Sequence, residues 1–128
     1  MAGKSYSPRK DTSVVKSLFL GNIVEDNIFP YPSLYGAELE TLQLVLESVD
    51  RFMGPRDIDY REYDKNGAQP DDYLQSLREL GLFGIIIPED YGGLGLSNRS
   101  YSRVLQQTSR YDGSTSLTIG AHSSIGMK

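Results

Sequence analysis

The stretch Gly84-Ile-Ile-Ile-Pro88-Glu-Asp-Tyr91-Gly-Gly-Leu-Gly95 decides between two fold classes. Its β-branched run and proline favour an extended backbone over residues 84–88. The glycines at 92, 93 and 95 permit positive φ and close backbone approach, so a tight loop follows. A strand leading into a glycine loop would suggest a dinucleotide-binding α/β fold, but the details fail that test. The spacing is not G-x-G-x-x-G, the loop follows a proline and acids instead of directly ending a strand, and no βαβ unit surrounds it. Nor does the Gly-Lys-Ser/Thr of a phosphate-binding P-loop follow it. A structural turn between helices is the reading that remains.

Helical periodicity extends outward on both sides. Upstream, residues 38–53 place Leu39, Leu42, Leu46, Val49 and Phe52 in one apolar stripe, ended by Gly54 and Pro55. Residues 54–69 mix charges with aromatics, close on Asn66-Gly67, and read as a solvated connection. A second helix is predicted over 70–80, with Pro70, Asp71 and Asp72 suited to its first turn and Tyr73, Leu74, Leu77 and Leu80 on its buried face. Gly81 terminates it. Downstream, Ser97 is a plausible N-cap for a third helix through Tyr101, Val104, Leu105 and Thr108 to Tyr111. A fourth opens near Ser114 and carries Leu117, Ala121 and Ile125 as its predicted inward row, flanked by small residues including Gly113, Ser116, Gly120, Ser123 and Ser124. Small side chains on a helix either admit a neighbouring helix or leave a groove. The fold class is therefore all-α, helix packed on helix.

The two ends of the chain differ from this body. Residues 1–12 are polar and read as a disordered tail. Residues 13–37 read as an arm with a short amphipathic helix, carrying Val14, Val15, Leu18, Phe19, Leu20, Ile23 and Val24 before Pro30 and Pro32.

Composition removes several function classes. A net charge of −4 with 13 scattered basic residues argues against nucleic acid as a partner. Without cysteine there are no disulfides and no thiolate chemistry. No apolar run approaches the ~20 residues of a membrane span. The N-terminus lacks a secretory signal, so the simplest location is cytoplasmic, or mitochondrial in a eukaryote. His122 is the lone histidine, and its neighbours Ser123 and Ser124 would point to other helix faces. An ordinary helical histidine is the expectation. Asp57 with Asp59, and Asp71 with Asp72, are explained by solvation or capping and need no acid–base role. Tyr73 and Tyr101 are expected half-buried with their hydroxyls at the surface.

Four strings stand in a particular order: Asp64-x-x-Gly67-x-x-Pro70, Leu77-x-x-Leu80-Gly81-Leu82-x-Gly84, Ile87-Pro88-Glu89-x-Tyr91-Gly92-Gly93-x-Gly95 and Arg110-Tyr111-Asp112. From about Glu38 onward they resemble the helical N-terminal domain of the acyl-CoA dehydrogenases. The arm to Pro30 and the segment Ile119–Gly126 are similar to the very-long-chain branch. The resemblance implies an FAD enzyme that converts a fatty acyl-CoA to its trans-2-enoyl-CoA and passes electrons to an electron-transfer flavoprotein or similar acceptor, as a homo-oligomer. It places the catalytic glutamate and most flavin contacts in middle and C-terminal domains outside this sequence. It thus assigns no catalytic, cofactor-binding or metal residue here, and the chain alone is expected neither to hold FAD tightly nor to turn over. The domain, 38–128, is expected to be incomplete at its C-terminal end and to expose an apolar face. The family's helix at the floor of the acyl cavity corresponds to the small-residue stretch, so the resemblance implies that Leu117, Gly120, Ala121 and Ser124 line the acyl pocket. An acyl-CoA oxidase or another superfamily relative, or a non-catalytic helical interaction module, is the alternative.

Overall fold

A computed structural model describes residues 13–30 and 33–126; the expected tail over 1–12 lies outside the described residues. The chain divides after Leu34 into two compact units. In the first, Ser13 caps α1 (Val14–Phe19) by accepting a hydrogen bond from the Lys16 amide. The helix ends at Phe19 because the chain folds back on its last turn, with Gly21 N–H donating to the Leu18 carbonyl and Asn22 N–H to that of Ser17. Periodicity had extended the apolar pattern to Val24. A short 3-10 turn, Glu25–Asn27, follows.

The second unit is built from α2 (Gly36–Met53), α3 (Asp57–Asn66), α4 (Asp71–Glu79), α5 (Asn98–Tyr111) and α6 (Gly113–Ala121), the last running into a wider π-helical turn, His122–Gly126. No strand occurs among the described residues. The core is made by Leu42, Val45, Val49 and Met53 of α2, Tyr73 and Leu77 of α4, Leu82 and Ile85 of the following loop, and Val104 and Ile119. On α2 the buried stripe thus includes Val45 and Met53, with Leu46 and Phe52 at its border.

Two expectations are corrected here. Residues 57–66 are helical, not a solvated connection. Their sparse apolar content hides the reason: Tyr60 and Tyr63 join Phe52 and Tyr73 in an aromatic cluster with ring centroids 5.2–6.2 Å apart. Gly67, at φ 67°, closes the helix in the left-handed conformation that the Asn-Gly signal had assigned to a simple turn. The extended backbone expected over 84–88 is a series of turns instead. Its carbonyls are used by the glycine loop, with the amides of Leu94, Gly95 and Leu96 donating to Gly84, Ile87 and Ile85 at 2.8–2.9 Å. The backbone groups are satisfied without a partner strand. This closure brings Gly93 so near Ile87 that a Cβ on it would sit 2.1 Å from the Ile87 carbonyl oxygen.

Two carboxylates of α2 hold α5 alongside it. Glu38, in the first turn, accepts from the Ser97 amide at 3.0 Å and the Ser100 hydroxyl at 2.6 Å, which satisfies the start of α5 together with the Ser97 cap. At the other end Asp50 accepts from the Tyr111 hydroxyl at 2.7 Å and from Gln107. Start meets start and end meets end, so α2 and α5 are parallel. These hydrogen bonds hold both carboxyls below their ordinary pKa, Glu38 chiefly through Ser100 and Asp50 chiefly through Tyr111.

A carboxyl depressed in the folded state contributes stability that is present above its unfolded pKa and lost as pH falls through the folded value. Urea midpoints should therefore be level near neutrality and drop as pH is lowered below ~4, with a shallower drop in Asp50→Asn; identical acid profiles would show that Asp50 adds nothing. Gly93→Ala must displace the Ile87 backbone and should cost at least about 2 kcal/mol in the same assay.

Candidate functional site

Asp112 both ends α5 and caps α6. Its carboxylate accepts from the Thr115 amide at 2.7 Å and from the Thr115 hydroxyl at 2.6 Å. The Thr115 hydroxyl has one proton, and Asp112 takes it. Its remaining capacity is to accept, which fixes the Tyr73 hydroxyl, 2.9 Å away, as a donor beside Gln69 Nε2 at 3.0 Å. Gln69 in turn accepts from Thr118 at 3.1 Å. Burial pushes the Tyr73 and Tyr60 hydroxyls above their ordinary pKa, so both remain neutral donors; Tyr60 donates to the Met53 carbonyl. Tyr73 is only 3% exposed. The expectation of a surface hydroxyl is wrong for this residue, because the partner that satisfies it lies on another helix.

This network orients α6. Thr115, Ser116, Ile119 and Ser123 face inward. The predicted inward row does the opposite, with Leu117 72% and Ile125 77% exposed and Ala121 half-buried. Apolar periodicity pointed the wrong way because the inward face of α6 carries one apolar residue, Ile119, among small polar ones, of which Thr115 and Ser116 hydrogen-bond inside while the Ser123 hydroxyl is buried without a partner.

The turned-out face and α5 border an open groove of about 490 Å³. Tyr101, Leu105 and Ser109 of α5 form one wall. Gly113, Ser116, Leu117, Gly120, Ala121, Ser124 and Ile125 form the other, so all four residues singled out from the sequence, Leu117, Gly120, Ala121 and Ser124, border one hollow. The helices run antiparallel, tied by Ser109 to Ser116 at 2.8 Å near the corner and by Tyr101 to the Gly120 carbonyl at 3.2 Å farther along. At Gly120 a missing side chain leaves the Tyr101 hydroxyl and Leu105 methyls 3.7–3.9 Å from the position a Cβ would take. Hydroxyl protons lining the groove are directed at backbone: Ser124 and Tyr101 donate to the Gly120 carbonyl, and Ser116 to that of Leu105. The surface offered to a ligand is therefore less polar than its sequence.

A second hollow of about 370 Å³ lies beside Tyr60, Tyr63, Asp64, Gln69, Asp112 and Thr118, and Leu117 borders both. Sequence reasoning missed it, along with the α5 wall, because both depend on which helices become neighbours. The other candidates take ordinary roles. His122 is exposed and packs edge-on against Phe83 at 4.9 Å, while Ser123 and Ser124 point inward and outward. Asp57 and Asp59 pair with Arg61 and Arg56, and Asp71 and Asp72 occupy the first turn of α4. No metal-binding group of acids and histidine exists among the described residues. No helix there is long and apolar enough to cross a membrane.

The family model of the acyl-CoA dehydrogenase N-terminal domain matches residues 39–128. The chain belongs to the acyl-CoA dehydrogenase family. It is 39% identical, over 91% of its length, to the mitochondrial very long-chain specific acyl-CoA dehydrogenase of Mus musculus, covering 18% of that protein. The Homo sapiens counterpart is 33% identical over 98% of this chain and 19% of its own length. The probable acyl-CoA dehydrogenase FadE10 of Mycobacterium tuberculosis is 35% identical over 90% of the chain, which covers 17% of it. The chain thus spans about a fifth of the length of the curated relatives it matches. No solved structure matches it. The glycine loop of this acyl-CoA dehydrogenase domain is not a phosphate cradle for FAD: it is closed upon Ile87, and even a Cβ at Gly93 would meet the Ile87 backbone.

The orientation of α6, and with it the groove, rests on the Thr115 hydroxyl. Thr115→Val keeps the shape but strands Tyr73 and the Gln69 amide and leaves Asp112 with the Thr115 backbone amide alone, and should lower unfolding free energy by about 2–4 kcal/mol. Tyr73→Phe removes a single donor and should cost ~1 kcal/mol. Equal losses in urea titrations would contradict the assignment of Thr115 as the shared node.

Proposed function

We propose that this chain supplies one wall of the acyl-chain pocket in an FAD-dependent acyl-CoA dehydrogenase acting on long-chain fatty acyl-CoA, with Leu117, Gly120, Ala121 and Ser124 lining that pocket. The observation that carries the reading is the groove itself, in which apolar side chains are turned outward and the hydroxyl protons are consumed by backbone carbonyls. Such a surface suits a methylene chain, at ~0.8 kcal/mol for each CH₂ fully buried. It does not suit acid–base work. Tyr101 is the sole titratable side chain bordering it, and no carboxylate stands in position to take an α proton.

On this reading the family's FAD supplies the oxidant when bound. The catalytic base comes from another part of the enzyme, an electron-transfer flavoprotein or similar acceptor receives the electrons, and this chain alone does not turn over. The very long-chain specificity named for the mammalian relatives supports a deep pocket.

The test is Gly120→Phe in the complete enzyme. The ring fills the groove, so kcat/KM for a C16 acyl-CoA should fall at least about tenfold, the equivalent of two methylenes, with C8 activity retained. Gly120→Ala, which meets nothing closer than 3.7 Å, should leave the profile near wild type. A chain-length profile unmoved by phenylalanine would sink the assignment.

A further inference from the structure

We infer that Tyr101 is a specificity-determining residue that closes one end of the groove and sets how far an acyl chain can extend along it. This rests on the acyl-groove reading above. The α5 wall is a single row at four-residue spacing: Ser109 beside the helix corner, Leu105 in the middle and Tyr101 at the far end. With 1.5 Å of rise per residue the row spans roughly 12 Å. At the corner end the helices are joined directly, Ser109 to Ser116 at 2.8 Å, so there is no passage between them. At the far end they are joined through Tyr101. Its half-buried ring reaches from α5 to α6 and its hydroxyl donates to the Gly120 carbonyl at 3.2 Å.

That carbonyl is an unusual anchor. It also accepts from the Ser124 hydroxyl at 2.6 Å, and it lies two residues before the point where α6 widens into the π-helical turn. A Cβ at Gly120 would meet the Tyr101 hydroxyl at 3.7 Å, an ordinary contact, so the tie belongs to the carbonyl and not to the missing side chain. A ring pinned in this way is an end wall of fixed position. Removing it lengthens the groove without touching Leu117, Ala121 or Ser124, whereas removing only the hydroxyl keeps the bulk and frees the ring to swing.

The experiment compares Tyr101→Ala, Tyr101→Leu and Tyr101→Phe with wild type and Gly120→Phe in the complete enzyme, reading kcat/KM for saturated acyl-CoAs from C8 to C24. Tyr101→Ala and Tyr101→Leu should raise the C22-to-C14 ratio by about tenfold, and Tyr101→Phe should raise it less while broadening the profile. If Gly120→Phe shifts the profile and no foldable Tyr101 variant does, the end-wall inference falls and the acyl-groove reading stands. If neither position moves it, the reading itself falls. Should Tyr101→Ala fail to fold, Tyr101→Leu and Tyr101→Phe still decide, since a merely structural tyrosine would lower activity on all chain lengths alike.

Discussion

One hydroxyl group settles the arrangement of the second unit. Thr115 Oγ gives its single proton to Asp112 and accepts from Tyr73 and Gln69, so its hydrogen-bonding capacity is filled in a site closed to water. The three partners come from the α5–α6 corner, α4 and the loop after α3. A buried hydroxyl short of partners costs on the order of 1–3 kcal/mol. Any rotation of α6 that pointed Leu117 inward would expose that penalty several times over. Burying Leu117 would return roughly 1.5–3 kcal/mol, which does not cover it. The polar network wins, and the apolar face is left outside.

The groove follows from that outcome and from the parallel pairing of α2 with α5. Glu38 and Asp50 hold α5 at its two ends, and α5 carries Tyr101, Leu105 and Ser109 on the side facing α6. Turning α5 about its axis would move the groove wall only by breaking the two carboxylate contacts. Anchors for the wall therefore sit on the opposite flank of the helix from the ligand face, which lets that face hold residues chosen for shape instead of stability. Gly120 illustrates the freedom. Nothing in the packing requires a glycine there, since a Cβ has ordinary clearance, yet the space it leaves belongs to the groove.

Legibility in the sequence tracks how local the deciding interaction is. The Ser97 cap, the acidic start of α4, the stop at Gly81 and the closed glycine loop are settled within a few residues, and each stands where its residues place it. Helix α3 escaped notice because its stabilising contacts, Tyr60 and Tyr63 against Tyr73 and Phe52, are tertiary. The Ile-rich run favours an extended backbone by propensity, but propensity yields when neighbouring amides satisfy its carbonyls. The direction of α6 was inverted for a similar reason: apolar periodicity is a guide to the core only where the core is apolar. The four groove residues were reached through family resemblance, and the α5 wall opposite them was invisible to both approaches.

The same geometry sets what the domain can do alone. A chain lying in this groove touches α5 on one side and α6 beneath, while Leu117 and Ile125 remain open above. Burial worth ~0.8 kcal/mol per methylene requires the whole circumference, so a half-covered chain recovers roughly half of it. Ten methylenes would then gain about 4 kcal/mol, which is millimolar before the entropy of immobilising a flexible chain is charged. Selectivity among chain lengths needs the second half of the wall. On the proposed reading the small residues of α6 contribute shape, and tight binding would need a surface that closes over Leu117 and Ile125. A groove bordered by no titratable group except one tyrosine bound to backbone would hold little water once covered.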